Sequence, residues 1–449
     1  MKPHLSEFMK EQISLEERED VQDFHRALKA ALGQEDATDE ELLVALENGE
    51  TIRDLQQAVG DLDYLVGLEA GIEELVSIEG AFDTPQSTRL VHHSVQLALV
   101  GSGVSAEELC PSLESHDTVS MESIGTSLKK IWNAILNMLK RVWRFFSDFF
   151  SGIGGDIQRI KLRLTQVRHK AQNATGKSIT NATTNLNREI NALCVWHRPP
   201  RAGKDIVDGL NEFNRHAKVL YDTYTKAVIN LGEKLTTLIK NTTPANAEKT
   251  LQEMTELCNK VNFRTIGSAI GSLVDVVDSR WENGVASRPP ILMGNKGLFF
   301  LTPKPRKGAQ TLLASAEAAR GQRPIVAMAS ADPKPALTKG EIDTIPAAQG
   351  VTICELVDNL LTTVKEYQPE AKRLEKTHDE LRKASETLSS RADRNGIDKK
   401  TEDIIRSILN FNPAFSHWAC DAVPPFSGLA VTASRAALIA VSKSTSNHG

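Results

Sequence analysis

Residues 123–150 read SIGTSLKKIWNAILNMLKRVWRFFSDFF, and they differ from everything before them in the chain. Ile124, Leu128, Ile131, Ile135, Leu139, Val142, Phe146 and Phe149 step by three or four, so a helix places them on one apolar face. Trp132, Trp143, Phe145 and Phe150 widen that face, while Lys129, Lys130, Lys140, Arg141 and Arg144 surround it with Asp148 as the only acid. The segment holds six of the chain's 23 aromatic residues, so its packing partner must accommodate rings.

Working outward toward the C-terminus, Ser151-Gly152-Ile153-Gly154-Gly155 is expected to end this helix, because adjacent glycines favour a turn. A second basic helix is expected beyond it. Ile157, Ile160, Leu164, Val167 and Ala171 form its apolar seam, and Arg159, Lys161, Arg163, Arg168 and Lys170 lie around them. The pair reads as a basic helical hairpin. Further on, apolar spacing from Ile206 to Leu238 marks one long helix and from Ile353 to Leu388 another, with a kink expected at Pro369. Between them the pattern changes. Ile291-Leu292-Met293, then Gly294-Asn295-Lys296-Gly297, then Leu298-Phe299-Phe300-Leu301 predicts a β-hairpin, and 323–328 a third strand. Residues 330–350 are rich in Pro and Ala and read as a loop, and the Ala-rich run 426–441 as a final helix. The fold class that follows is mainly α: an extended helical bundle with long amphipathic helices and a small antiparallel β insertion.

Working outward toward the N-terminus, the charge changes sign. Residues 1–122 hold 27 acids and 7 Lys+Arg, a net of −20; the remaining residues hold 31 acids and 46 bases, a net of +15. The overall −5 therefore conceals an acidic piece joined to a basic one. A basic piece of this size favours nucleic acid or an anionic surface as its partner. Within the acidic piece, Thr38-Asp39-Glu40-Glu41 reads as a capping box, and Leu55, Val59, Leu62, Val66, Leu75 and Ile78 mark an acidic amphipathic helix, or two broken near Gly67–Gly71. Residues 101–121 carry Gly, Ser and Pro without a base and read as a flexible linker within reach of a protease.

Several function classes lack their residues. Cys110, Cys194, Cys258, Cys354 and Cys420 are far apart, with no spacing that suggests a disulfide framework or a zinc site. The histidines are scattered, with His92-His93 the only cluster, and no phosphate loop, nucleophile elbow or metal-ligand motif occurs. The sequence implies no enzyme, no cofactor and no metal. The N-terminal residues lack a cationic-then-apolar secretory pattern, and no run reaches the ~18 apolar residues of a spanning helix. Synthesis in a cytoplasm is the expectation.

The 123–150 helix admits three readings. As the core helix of a bundle it turns its aromatic face inward, the usual meaning of helical amphipathicity. As an interfacial membrane element it has the required Trp/Phe and Lys/Arg faces. As a DNA-facing helix its bases would bind phosphates without sequence preference. The first and third are compatible.

Ser-x-Glu tripeptides occur at Ser14, Ser77, Ser105, Ser112, Ser120 and Ser315. Most fall where glutamate is abundant and carry little weight by number. Ser120-Met121-Glu122 stands out by position, in the linker and immediately before the basic helix. This tripeptide with Ser123 after it, Leu128-Lys129-Lys130-Ile131-Trp132, and Val142-Trp143-Arg144-Phe145-Phe146 resemble the internal head, or inner-body, structural proteins of giant tailed bacteriophages of the phiKZ kind. The Gly294-Asn295-Lys296-Gly297 turn is similar too. The resemblance implies an acidic N-terminal propeptide removed by a phage prohead protease that reads Ser/Ala/Gly-x-Glu. Ser120, Met121, Glu122 and Ser123 would form the site, with the scissile bond after Glu122.

The chain then divides into an acidic helical propeptide with flexible linker (1–122), a basic helical hairpin (123–177), a helical segment (178–288), a β-hairpin with a Pro/Ala-rich loop (289–350) and a helical C-terminal region (351–449). The expected partners are the prohead protease, packaged phage DNA bound non-specifically through Lys129, Lys130, Lys140, Arg141, Arg144, Arg159, Lys161, Arg163, Arg168 and Lys170, and other head or inner-body proteins. The expected location is the virion head interior, after synthesis in the bacterial host cytoplasm. The alternatives are a membrane-active amphipathic-helix protein masked by an acidic pro-segment, and an ejected host-modifying protein.

Overall fold

The computed structural model describes residues 50–67, 69, 121–277, 279–281, 284–303, 311–331, 334–337, 339–392 and 398–448; for 121–130 it describes the backbone alone. The capping box at Thr38 and the linker 101–120 lie outside the described residues.

Helix α1 comprises residues 50–67, within the acidic leader. Its Leu55, Ala58, Val59, Leu62 and Leu65 share one face and are all buried, as their helical spacing requires. Helix α2, Met121–Asn173, is 53 residues of unbroken helix, about 80 Å at 1.5 Å per residue.

The expected hairpin at 123–177 is therefore a single helix. The apolar stripe does not stop at the glycines: Phe149, Ile153, Ile157, Ile160, Leu164, Val167 and Ala171 continue the same spacing and are all buried. Burial of that stripe outweighs the helix penalty of Gly152, Gly154 and Gly155, roughly 1 kcal/mol each relative to Ala. Gly154 serves close approach instead of a turn. A Cβ there would lie 2.8 Å from Gln368 Nε2, and that amide donates a hydrogen bond to the Phe150 carbonyl at 2.9 Å.

Strand β1, Thr183–Leu186, precedes α3, Gly203–Lys218, and α4, Thr225–Lys240. The two helices are joined by a π-helical stretch, Val219–Tyr224, in which the Thr225 hydroxyl donates to the Leu220 carbonyl five residues back. The long helix expected from Ile206 to Leu238 is thus present with one wide turn. Helix α5, Ala247–Val261, ends where Asn262 adopts a left-handed φ of 44°, a conformation that asparagine tolerates.

Four antiparallel strands follow: β2 (Val274–Val276), β3 (Gly284–Arg288), β4 (Lys296–Pro303) and β5 (Arg323–Met328), hydrogen-bonded in that order. Helix α6, Leu312–Arg320, connects β4 to β5. The third strand expected at 323–328 is there, but the expected hairpin is not. Ile291–Met293 is not a strand, and β4 pairs with β3 and β5 instead. The tight turn itself exists: the Leu292 N–H donates to the Lys296 carbonyl at 2.9 Å, with positive φ at Gly294 and Asn295. Asn295 is tied to a neighbouring loop, its side-chain oxygen accepting from the His197 N–H and its N–H donating to the Cys194 carbonyl. Ile291, Leu292 and Met293 are buried among side chains while β4 takes its ladder from elsewhere. The sheet also begins before residue 289, inside the segment expected to be helical.

Strand β6, Gly340–Asp343, pairs antiparallel with β1. Helices α7 (Ala347–Glu366) and α8 (Gln368–Ala392) are separated at Tyr367, next to the proline expected to kink them. The chain closes with α9 (Lys399–Leu409), α10 (Phe411–Cys420) and α11 (Val423–Thr445). An apolar window within Lys399–Thr445 matches a membrane span in length and composition, but 72% of it is buried in the fold. Helix α7 packs on α2, α3 and α11; α11 also packs on α2, and α8 on α4. One apolar cluster runs from Leu55 in the leader to Val441 in α11. The fold is mainly α with a small antiparallel sheet, as the sequence pattern requires.

Candidate functional site

Ser120 lies outside the described residues, and the backbone of Met121, Glu122 and Ser123 is helical, within α2. From Ile131 onward the face opposite the bases is covered by protein. The Trp143 indole N–H donates to Ser416 Oγ at 2.8 Å, and its ring stacks on His378 with centroids 4.5 Å apart. Burial, and then the nearby Arg382 charge, push the His378 imidazole down to about 3, so it packs as a neutral ring. Phe146 and Phe150 touch each other, and Phe150 continues onto Tyr367. The core-helix reading is the one observed. A membrane-inserted arrangement would first have to strip Trp143, Phe146, Phe149 and Phe150 from this core.

The basic residues of α2 fall into two groups. Lys140, Arg141, Arg144 and Lys170 are exposed, and Arg141 and Arg144 hold their guanidinium carbons 5.6 and 5.3 Å from the Phe145 ring centroid. Arg159, Lys161, Arg163 and Arg168 are half-buried. Of these, Lys161 lies 3.0 Å and Arg168 3.7 Å from the Asp358 carboxylate on α7, and Lys161 also donates to Thr362 Oγ1. Two of the eight candidate phosphate contacts whose side chains are described therefore already face an acid. The side chains of Lys129 and Lys130 lie outside the described residues.

A second arrangement went unnoticed in the sequence. Where α1 meets the body, His417 of α10 stands between two carboxylates: Nε2 is 2.8 Å from Asp63 Oδ1 and Nδ1 is 3.3 Å from Asp421 Oδ2. Arg323 of β5 bridges the same pair, 3.4 Å from Asp63 and 3.0 Å from Asp421. His417 and Asp421 side chains are 6% and 7% exposed while Asp63 is 50% exposed, so the leader's carboxylate caps a cluster buried in the body.

The charges in this cluster reinforce one another. Burial and the Arg323 charge pull the His417 imidazole down, but Asp421 and Asp63 outweigh them and hold it above its ordinary value. Burial pushes the Asp63 carboxyl up, and the His417 hydrogen bond and charge, followed by Arg323, overcome it and hold it below. His417 and Asp421 are four apart on a helix, a spacing that could have been noticed; their partners Arg323 and Asp63 are remote in sequence. Among the described residues no group of three or more His, Cys, Asp or Glu is placed to hold a metal ion. Cys194, Cys258, Cys354 and Cys420 are buried free thiols, and burial pushes Cys258 up to about 12.

The fold is a helical body with one continuous core and a long basic helix. The family model for phiKZ-like phage internal head proteins matches residues 19–443, and the chain belongs to that family. It is therefore an internal structural protein of a phage head, as the resemblance implied. The match includes much of the acidic leader as well as the basic body. No curated protein and no solved structure matches the chain.

Proposed function

We propose that this protein is made as a precursor in the host cytoplasm and is cut by the phage prohead protease between Glu122 and Ser123. Its basic body is then packaged with the genome as a non-catalytic component. The observation that carries this reading is the coincidence within a few residues of the Ser-x-Glu tripeptide, the reversal of charge from −20 to +15, and the onset of the basic amphipathic pattern Leu128-Lys129-Lys130-Ile131-Trp132. The proposed bond lies within the described backbone of α2, so the helix must open locally there for a protease to reach it.

Before cleavage the precursor is close to neutral, which suits co-assembly with other head proteins. Afterwards the body is a polycation beside DNA. Contacts from Lys140, Arg141, Arg144 and Lys170 would be non-specific and salt-dependent, because they meet phosphates and not base edges. Mass spectrometry of purified particles is expected to find a peptide beginning at Ser123. Abundant peptides from residues 1–110, with no N-terminus at Ser123, would overturn the proposal.

A further inference from the structure

Cutting the chain at Glu122 severs a covalent link, but α1 is held to the body by contacts that do not depend on it. Its face of Leu55, Ala58, Val59, Leu62 and Leu65 belongs to the common core. Ile52 lies over Gly428 of α11, where the absence of a side chain leaves it room; a Cβ at 428 would come within 2.3 Å of Ile52 Cδ1. Asp63 completes the Arg323–His417–Asp421 cluster, so removing α1 would uncover apolar core and leave Arg323 and His417 with one buried carboxylate between them.

We infer that the seat of α1 is a docking site in its own right, and that residues 50–67 remain on the body as a separate, noncovalently bound helix after the leader has been cut. This rests on the processing proposed above. The occupant is a segment of the same chain, and shape and charge both select it. Apolar residues fill the groove, Asp63 supplies the missing negative charge, and Gly428 admits Ile52.

The consequence for charge is specific. Residues 50–67 carry four acids (Glu50, Asp54, Asp61 and Asp63) and one base (Arg53), a net of −3, so −17 of the leader's −20 lies outside the docked helix. Ser-x-Glu tripeptides flank the helix at Ser14-Leu15-Glu16 and Ser77-Ile78-Glu79, and none falls inside it. Trimming at those two sites would leave residues 17–79 on the body with a net of −14, discarding −6 of the leader's −20 while the core stays sealed.

The test uses the full chain with the recognition sequence of an unrelated site-specific protease inserted between residues 101 and 120. After cutting, gel filtration at physiological ionic strength should show the leader fragment co-eluting with the body. Leu62→Asp should separate them, with circular dichroism and melting of the uncut variant as the check on folding. Asp63→Lys, at a half-exposed position that disturbs folding less, should raise the dissociation constant roughly tenfold, the scale expected for disrupting one charge pair at an interface rim. A wild-type fragment that elutes apart from the body, or a Leu62→Asp fragment that stays attached, would overturn the inference. Because the cut is engineered, this outcome is independent of whether Glu122 is cleaved in the particle; an uncut chain in virions would sink the processing proposal alone.

Discussion

Helices α1 and α2 have opposite charge and the same architectural role. Each turns an apolar stripe into one shared core, and each carries most of its charges off that stripe. They differ in how they are fastened. Helix α2 uses large rings and 53 residues of continuous helix, whereas α1 uses aliphatic side chains over 18 residues and one charge cluster at its edge. The sign of the charge therefore does not mark the boundary of the folded unit: the acidic leader contributes a helix to the core of the basic body.

The comparison can be broken by matched truncations. Trp143→Ala removes a ring 4% exposed, with its stacking partner and its hydrogen bond to Ser416, and should cost about 3–5 kcal/mol by urea denaturation. Leu62→Ala, fully buried in α1, should cost about 2–3 kcal/mol, at the lower part of the range because a single seated helix can settle into the space. Equal costs would mean that α1 is as rigidly built in as α2. No measurable cost for Leu62→Ala would mean that α1 contributes nothing to the core.

The two groups of bases on α2 give a second contrast, measured on the cut chain with random-sequence DNA. Replacing Lys140, Arg141 and Arg144 by Ala should reduce the slope of log affinity against log salt by about 2.7, at roughly 0.9 for each lost phosphate contact. Replacing Lys161 and Arg168 should change it by much less than the roughly 1.8 expected of two free bases, because Asp358 already faces both. Similar loss per residue in the two variants would refute the division.

Much of this was legible in the sequence. Periodicity of three and four located the long helices, because a buried stripe is written directly into residue spacing. The sheet was harder. Strand β3 is GVASR, with little apolar alternation, and its partner β4 lies beyond a loop whose Ile291-Leu292-Met293 looks more like a strand than β3 does. The Asp63–Arg323–His417–Asp421 cluster was illegible for a different reason. Apart from the i,i+4 pair His417 and Asp421, its members come from remote parts of the chain, and only the docking of α1 brings them together.

That cluster predicts how the hold on α1 depends on pH. Asp63 titrates below its ordinary 3.8 in the folded chain, so its contribution is complete above 3.8 and is lost as pH falls through the lowered value. His417 titrates above its ordinary 6.5, so its contribution is complete below 6.5 and is lost as pH rises through the raised value. Arg323 stays charged throughout. Amide exchange of residues 50–67, corrected for the intrinsic rate, should show greatest protection between these two limits and a decline on the alkaline side. His417→Gln should abolish that decline. A decline that persists in the variant would assign it to another group.

The smallest expected effect is the sharpest on the form of α2. Where a chain turns, glycine is retained because it reaches backbone angles that alanine resists, and Gly→Ala there is destabilising. Within a continuous helix the same change removes backbone freedom from the unfolded chain and favours the fold. Gly155 is exposed, and a Cβ built on it meets nothing within 4 Å, so Gly155→Ala should stabilise the protein by about 0.5–1 kcal/mol in thermal or urea unfolding. Gly154→Ala should not, because its Cβ would displace Gln368 from the Phe150 carbonyl and offset the gain in helix propensity. If both substitutions destabilise, the glycines form a turn, and the basic helices are a hairpin after all.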